Sequence, residues 1–200
     1  MTRIGILLFD GFDLIDAGGP YEVFLTASRL AERDGDTPTF TVELFSADGA
    51  DVVAYGGMTL TALGSAAETE AFDVLVVPGT IDVRAALSQP VLVDAVARLS
   101  AASDLVTSVC TGAFLLARAG VLSGLAATTH WEDVAELAGS AVREAVGGVR
   151  WVDEGDVITS GGLTSGIHMA LHVVARLEGT EMALRTARQL DMDWSADPAR

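Results

Sequence analysis

The chain has 200 residues, enough for one domain with a well-buried core. Half of its residues are hydrophobic, but its apolar runs are strand-sized and fall short of the ~18 or more residues that a membrane helix needs. A net charge of −16 argues against binding to a phosphate backbone, which needs clustered Lys and Arg. We therefore expect neither a nucleic-acid nor a membrane partner. Because the N-terminus also lacks a secretory signal, we expect a cytoplasmic protein.

In the first half of the chain, apolar runs alternate with helical patterns. Strands are predicted at residues 3–9, 40–47 and 72–79, and helices at residues 16–33 and about 83–100, with Pro90 marking a break or a second start. The strands are apolar along most of their length. Such strands are typical of a sheet that is covered on both faces.

In the second half, a strand at 104–109 delivers Cys110, and a short helix from Thr111 to Ala119 follows it. The remaining predicted elements are a short strand at 126–130, a helix at 131–139, a hairpin-like pair at 149–162, and helices at about 165–178 and 181–190.

Alternating strands and helices predict the fold class: an α/β domain of the flavodoxin-like, doubly wound type, with a mostly parallel sheet and helices on both faces. No linker, low-complexity segment or repeat divides the chain. We therefore expect a single domain over residues 1–200.

Cys110 is the only cysteine, which excludes an intrachain disulfide and a Cys-rich metal site. It stands at the carboxyl end of a predicted strand, where ligands of such sheets bind, and at the start of a helix, whose amides favour a thiolate. The backbone amides of Thr111 and Gly112 are placed to face an anion beside the sulfur. The alternative is a buried cysteine that acts as a small hydrophobic residue.

The segment VTSVCTGAFLLARAGVLSGLAATTHW resembles the nucleophile segment of the ThiJ/PfpI superfamily, and within it the isonitrile hydratase branch. LIDAGGPYEVF, VVPG and ITSGGLTSGIHMALHVVARLEG resemble three further blocks of that branch, in the expected order over nearly the whole chain. The same blocks occur in a regulator branch, where an AraC-type DNA-binding domain follows. We expect no such domain here, since the sequence stops at residue 200.

The resemblance implies that Cys110 is a nucleophile and that Asp16 is its acidic partner. A carboxyl beside a thiolate cannot comfortably stay charged, so the two groups can share a proton that Asp16 later delivers. The alternative role for Asp16 is to cap the helix that follows it.

Gly79 follows the third strand, where a backbone amide can approach the reacting group, although an ordinary turn is the alternative. The superfamily commonly has Pro-Gly-Gly there, whereas this chain has Pro78-Gly79-Thr80, so the Thr80 side chain is expected to narrow the pocket or change its polarity. Gly79, Thr80, Thr111 and His130 are our candidates for stabilising charge or contacting substrate.

The three histidines have competing interpretations. His130 either approaches the site or makes a structural hydrogen bond. His168 and His172 share a helix face, but without a nearby acidic or cysteine ligand they make a weak metal motif, and related sequences often have Asp in place of His168. The run SGGLTSG at 160–166 lacks the ending of a phosphate-binding loop. We expect neither a metal nor another cofactor.

The resemblance implies an isonitrile hydratase-like enzyme, a lyase that adds water to a small-molecule isonitrile to give an N-substituted formamide. One alternative is a stand-alone ligand- or redox-sensing domain related to the regulators. Another is a glyoxalase-like or amidase-like activity. Peptidase-like members of the superfamily carry His directly after the nucleophile, and the Thr111 of this chain counts against that alternative. Homodimers are common in the superfamily, so we expect one.

Overall fold

A computed structural model describes residues 1–61 and 63–199. Its strands are β1 (Thr2–Leu7), β2 (Phe40–Ser46), β3 (Val52–Val53), β4 (Thr59–Leu60), β5 (Gly64–Ser65), β6 (Val74–Val77), β7 (Leu105–Val109), β8 (Ala126–Ala127), β9 (Glu144–Ala145), β10 (Trp151–Asp153) and β11 (Val157–Ser160). Its helices are α1 (Leu14–Arg33), α2 (Val83–Leu87), α3 (Pro90–Ala102), α4 (Gly112–Arg118), α5 (Val134–Leu137), α6 (Ser165–Glu178) and α7 (Thr180–Gln189), and a 3-10 turn spans Ala66–Glu68.

The central sheet has seven strands in the order β10-β11-β7-β6-β1-β2-β5. All neighbouring pairs are parallel except β10 and β11. One group of mutually packed helices comprises α1, α6 and α7, and a second comprises α2, α3 and α4. Strands β6 and β7 are buried at every position, as expected of central strands between two helical layers. The predicted doubly wound α/β architecture is confirmed.

Helix α1 begins at Leu14, two residues before the predicted start. Asp13 takes the N-cap position, so the alternative in which Asp16 caps this helix is wrong: Asp16 already lies in the first turn. Pro20 consequently lies in the second turn, where it lacks the amide that would bond the Asp16 carbonyl. The predicted break at Pro90 is real, because this residue opens α3 after α2 has ended.

The predicted strand at 126–130 is wrong beyond its first two residues. β8 pairs only with β9, in a small separate sheet, and the Thr128 amide then donates to the Thr159 side chain at 2.8 Å rather than to a strand backbone. The helix predicted at 131–139 shortens to the four residues of α5. The predicted hairpin is confirmed as the antiparallel pair of β10 and β11.

The sequence predicted no strands between β2 and β6, because the three strands there have only two residues each. β3 and β4 form a ribbon outside the main sheet, and β5 pairs with the edge of β2. The ribbon holds the loop before α1: the Gly11 amide donates to the Val53 carbonyl at 2.8 Å, and the Tyr55 amide to the Phe12 carbonyl at 2.9 Å. This loop leads directly to Asp16.

Across residues 1–61 and 63–199, no helix combines the length and the apolar character that crossing a bilayer requires. The cytoplasmic location stays a prediction.

Candidate active site

Cys110 lies in the sharp turn between β7 and α4, with a φ of 55°. This left-handed conformation is strained for a residue other than glycine, and such strain is concentrated at functional sites. The surrounding backbone holds it in place. The Cys110 amide donates to the carbonyls of Ser160 and Gly161 at 3.2 and 3.1 Å, and the Cys110 carbonyl accepts from the Thr129 hydroxyl at 2.8 Å. The predicted strand–cysteine–helix corner is therefore present.

Gly112 allows this turn to pack tightly against the neighbouring strand. A Cβ atom at this position would collide with the Val77 carbonyl oxygen and come within 2.8 Å of the Pro78 carbonyl oxygen. The glycine two residues after the cysteine is thus required by the approach of α4 to the end of β6.

Asp16 is fully buried, at 0% exposure, and reaches the same place from α1. Its Oδ2 atom accepts a hydrogen bond from the Gly79 amide at 3.1 Å. The Leu163 amide and the Cys110 thiol also face this carboxyl and lower its pKa, although the buried Oδ1 atom makes no hydrogen bond of ordinary length and angle among the described residues. A buried carboxyl beside a thiol is arranged to receive a proton.

Burial is the largest influence on the acid–base properties of both members of this pair. Burial and the negative charge of Asp13 raise the pKa of Asp16 to about 7, against the opposing effects of the Gly79 and Leu163 amides and the Cys110 thiol. Burial and the charge of Asp16 raise the pKa of Cys110 to about 12. The Thr111 amide lowers the pKa of this thiol, as expected, but less than burial raises it.

The expectation that helix amides keep Cys110 as a thiolate is therefore wrong for the resting protein. Near neutral pH the thiol holds its proton beside the Asp16 carboxylate, and the pair carries one negative charge. Sulfur becomes a strong nucleophile only when its proton moves to Asp16.

Gly79 and Thr80 have their amides engaged within the protein. The Gly79 amide donates to Asp16, not toward a ligand, and a Cβ here would lie 2.7 Å from the Thr111 hydroxyl oxygen and 2.8 Å from Asp16 Oδ2. The Thr80 amide donates to the Thr111 hydroxyl at 2.8 Å, and that hydroxyl donates to the Thr80 carbonyl at 2.7 Å. These bonds fix the turn after β6 against the turn that carries Cys110.

A cavity of about 260 Å³ opens beside the sulfur. Cys110 itself is only 8% exposed. The residues that line this cavity follow the carboxyl ends of the strands. They include every predicted contact residue except Gly79. The full lining consists of Asp13, Thr80, Ile81, Val83, Cys110, Thr111, His130, Glu132, Asp133 and Leu163. The volume is suited to a small ligand, and three carboxylates surround it.

His130 is a wall of this cavity. Its Nδ1 atom lies 3.6 Å from carboxylate oxygens of both Glu132 and Asp133, and its ring contacts Trp131 at 5.6 Å between centroids. Gly162 packs against the other side, where a Cβ would collide with the imidazole. His130 thus combines both interpretations: it is held structurally, and it lines the site.

His168 and His172 point to different surroundings. His172 Nε2 lies 2.7 Å from Asp153 Oδ2, and its ring stacks on Trp151 at 5.0 Å, whereas His168 lines a neighbouring cavity. Among the residues that the structure describes, no three His, Cys, Asp or Glu side chains are grouped so as to hold a metal ion.

Leu163 is the main site residue that sequence reasoning missed. It lines the cavity, has a φ of 56°, and its amide lowers the pKa of Asp16. The preceding Gly161-Gly162 pair signals an irregular turn, but only the fold places this turn beside Cys110. Asp13, Ile81 and Val83 are cavity residues whose local sequence carries no comparable signal.

Comparison with known proteins agrees with this geometry. The chain is 32% identical to an isonitrile hydratase of Pseudomonas putida over 192 residues, which cover 94% of this chain and 78% of that protein. An uncharacterized protein encoded in the cpoL 5' region of Streptomyces lividans is 40% identical over 136 residues, covering 68% of this chain and 92% of that protein.

Transcriptional regulators are also relatives. The regulator GbdR of Pseudomonas aeruginosa is 29% identical over 180 residues, and the match covers 90% of this chain but only 48% of GbdR. The crystal structure of an AraC family transcriptional regulator from Pseudomonas putida superimposes with a TM-score of 0.80 at 25% identity, covering 95% of this chain and 100% of that one.

The crystal structure of a ThiJ/PfpI family protein from Pseudomonas syringae superimposes with a TM-score of 0.84 at 25% identity, covering 96% of this chain and 75% of that one. The DJ-1/PfpI family pattern matches residues 2–176, a range that includes Asp16, Cys110 and every residue that lines the cavity beside the sulfur. The chain therefore belongs to the DJ-1/PfpI family, also called ThiJ/PfpI.

Proposed function

We propose that this protein is an isonitrile hydratase-like enzyme that converts an isonitrile and water into an N-substituted formamide. The observation that carries the proposal is the strained Cys110, whose thiol faces the carboxyl of the fully buried Asp16. The 32% identity to an isonitrile hydratase over 94% of the chain supports the choice of substrate.

In the first half-reaction, the Cys110 proton moves to Asp16 as sulfur attacks the terminal carbon of R–N≡C. A carbon–sulfur bond forms, and Asp16 returns the proton to that same carbon. The product is a thioimidate, R–N=CH–S–Cys110. The pKa of Asp16, near 7, suits a group that both accepts and donates a proton at neutral pH.

In the second half-reaction, water adds to the thioimidate carbon and one of its protons reaches nitrogen. The tetrahedral R–NH–CH(OH)–S–Cys110 then expels sulfur, which recovers a proton, and R–NH–CHO is released. Atoms and charges balance without a redox partner.

The other predicted site residues act on this pair or on the substrate. The Gly79 amide holds Asp16 in position, and the Thr111 amide stabilises charge on sulfur. Thr80 holds the turns after β6 and β7 together through its hydrogen bonds with Thr111. Thr80 and His130 also line the cavity and restrict the R group of the substrate.

Turnover of an aryl isonitrile, followed by NMR detection of the formamide, tests this proposal. Wild type, Cys110→Ala and Asp16→Asn form the series. We expect no formamide from Cys110→Ala. Asp16→Asn keeps the shape and the bond from Gly79 but cannot accept the proton, so its rate falls by about 10²–10⁴. Asp94→Asn, which changes an exposed carboxyl on α3, is the matched control. Turnover by Cys110→Ala would refute the role of sulfur.

The regulator relatives favour a second candidate, a ligand- or redox-sensing domain. This candidate predicts saturable binding of a small molecule, or oxidation of Cys110, without turnover of any isonitrile. The same NMR assay therefore separates the two functions.

A further inference from the structure

A second cavity adjoins the first. It has a volume of about 470 Å³, and its lining residues are His130, Trp131, Arg150, Gly162, Leu163, Thr164, Ser165 and His168. His130 and Leu163 line both cavities. These two residues therefore form a wall that the two cavities share.

The sheet sets the separation between the Cys110 and Arg150 backbones. The Arg150 carbonyl accepts from the Gly161 amide at 2.9 Å, and the Gly161 carbonyl accepts from the Cys110 amide at 3.1 Å. The Arg150 backbone is thus two strand spacings from the Cys110 backbone, roughly 10 Å across the sheet. An aromatic ring with a para substituent has a length of this order.

The two cavities differ in charge. Asp13, Glu132 and Asp133 line the cavity at the sulfur, whereas Arg150 is the one formally charged side chain among the described residues that line the second. Burial and Arg150 lower the pKa of His168, which keeps that imidazole neutral at pH 7. In the described part of this acidic chain, no carboxylate lies within 4.0 Å of the Arg150 guanidinium as an ion pair.

Arg150 keeps donors available for a ligand. One guanidinium nitrogen, Nη1, donates to the Ala199 carbonyl, which holds the side chain toward the C-terminal segment. The nearby amides of Ser165, Gly166, Ile167 and His168 already donate to carbonyls of their own turn, so they do not compete for an anion. Trp131 adds an aromatic surface that is 63% exposed.

We propose that the second cavity is a subsite for the R group of the substrate, and that it selects a flat, aryl-sized group ending in a carboxylate. This inference rests on the proposed function and specifies its substrate class. The aromatic part lies against Trp131, and the carboxylate pairs with Arg150 in the fork geometry that guanidinium favours.

The kinetic test compares 4-isocyanobenzoate with its methyl ester, which has the same ring but no charge. For wild type we expect the carboxylate to have the higher kcat/KM. Arg150→Gln lowers kcat/KM for the carboxylate by about 10-fold or more and changes the value for the ester less than about 2-fold. Arg29→Gln, which removes an exposed positive charge on α1, is the matched control and leaves the preference unchanged.

A binding test separates failure of the subsite from failure of the hydratase proposal. Calorimetry with Cys110→Ala measures binding of both compounds without turnover, and is repeated with Arg150→Gln or, if that variant is unstable, with the charge-retaining Arg150→Lys. Carboxylate-selective binding that depends on Arg150, without wild-type turnover, would support the subsite and reject the hydratase. Equal affinity of Cys110→Ala for acid and ester, or a preference that survives the added Arg150→Gln, would overturn the subsite whatever the turnover of wild type.

Discussion

At the scale of single residues, Cys110 and Asp16 act as one acid–base unit. Burial and the charge of Asp13 raise the pKa of Asp16, whereas burial and the charge of Asp16 raise the pKa of Cys110; the hydrogen bond from the thiol lowers the pKa of Asp16 and opposes its rise. Between the two values the pair holds one proton, which is the form that can carry out the attack and the return of the proton. The pH dependence of the proposed reaction thus follows the ionisation of Asp16, near pH 7.

We expect kcat/KM of wild type to rise with pH up to about 7 and to be level above it, because the protonated Asp16 cannot accept the thiol proton. Asp16→Asn should lack this rise. The measurement is initial rates of formamide formation across the pH range with one aryl isonitrile. A pH-independent wild-type profile would contradict the pairing of these residues.

The same pKa affects stability. Folding raises the pKa of Asp16 from an ordinary 3.8 to about 7, so the folded state binds this proton more tightly than the unfolded chain does. The contribution of this group to the free energy of unfolding is greatest below the unfolded value and falls as pH rises to about 7. Ionised Asp16 therefore destabilises the folded protein.

Asp16→Asn should be more stable than wild type above about pH 7, by on the order of 2–4 kcal/mol, because asparagine never ionises. The difference should shrink toward pH 4. Urea unfolding of both proteins at the two pH values measures it, with Asp94→Asn as the control on the surface. A difference that stays constant with pH would show that Asp16 is not destabilised by its charge.

At the scale of the elements, the turns after β6 and β7 determine the site. Sequence reasoning located both strands because each is short, continuous and apolar, and it located Cys110 and Gly79 at their ends. The sequence predicted that the Gly79 amide approaches the reacting group. In the fold this amide instead donates a hydrogen bond to Asp16, which only the packing of α1 reveals. The prediction for residues 126–139 failed because the Thr128 amide donates to the Thr159 side chain and the Thr129 hydroxyl donates to the Cys110 carbonyl, instead of extending a strand.

Gly112→Ala tests the close approach of α4 to β6. The added methyl would collide with the Val77 carbonyl oxygen, so we expect a loss of about 1–3 kcal/mol in the free energy of unfolding. Gly18→Ala on α1 is the matched control: a Cβ there meets no atom within 4 Å, and it should stabilise by about 0.5–1 kcal/mol. Equal effects of the two substitutions in urea unfolding would contradict this packing.

At the scale of the whole molecule, the fold class could be predicted because buried parallel strands and amphipathic helices alternate over most of the chain. The cavity could not, since its walls come from five separated segments of the chain whose meeting depends on strand order. Asp13 and Leu163 have no local signal for such a role. A single domain over residues 1–200 remains our interpretation of the continuous core.

Homodimer formation also belongs to this scale and remains a prediction from the resemblance to the family. Light scattering of the purified protein at working concentration should give the mass of two chains. A mass of one chain would reject the dimer and leave the account of the active site unchanged, because every residue in that account belongs to one chain.

The most direct test of the central claim is to trap the covalent intermediate. Wild type mixed with an aryl isonitrile and quenched in acid within one turnover should gain the full mass of the isonitrile on the peptide that contains Cys110, and this adduct should decay at the rate of formamide release. Formamide that forms without any adduct, or an adduct at a site other than Cys110, would contradict the account.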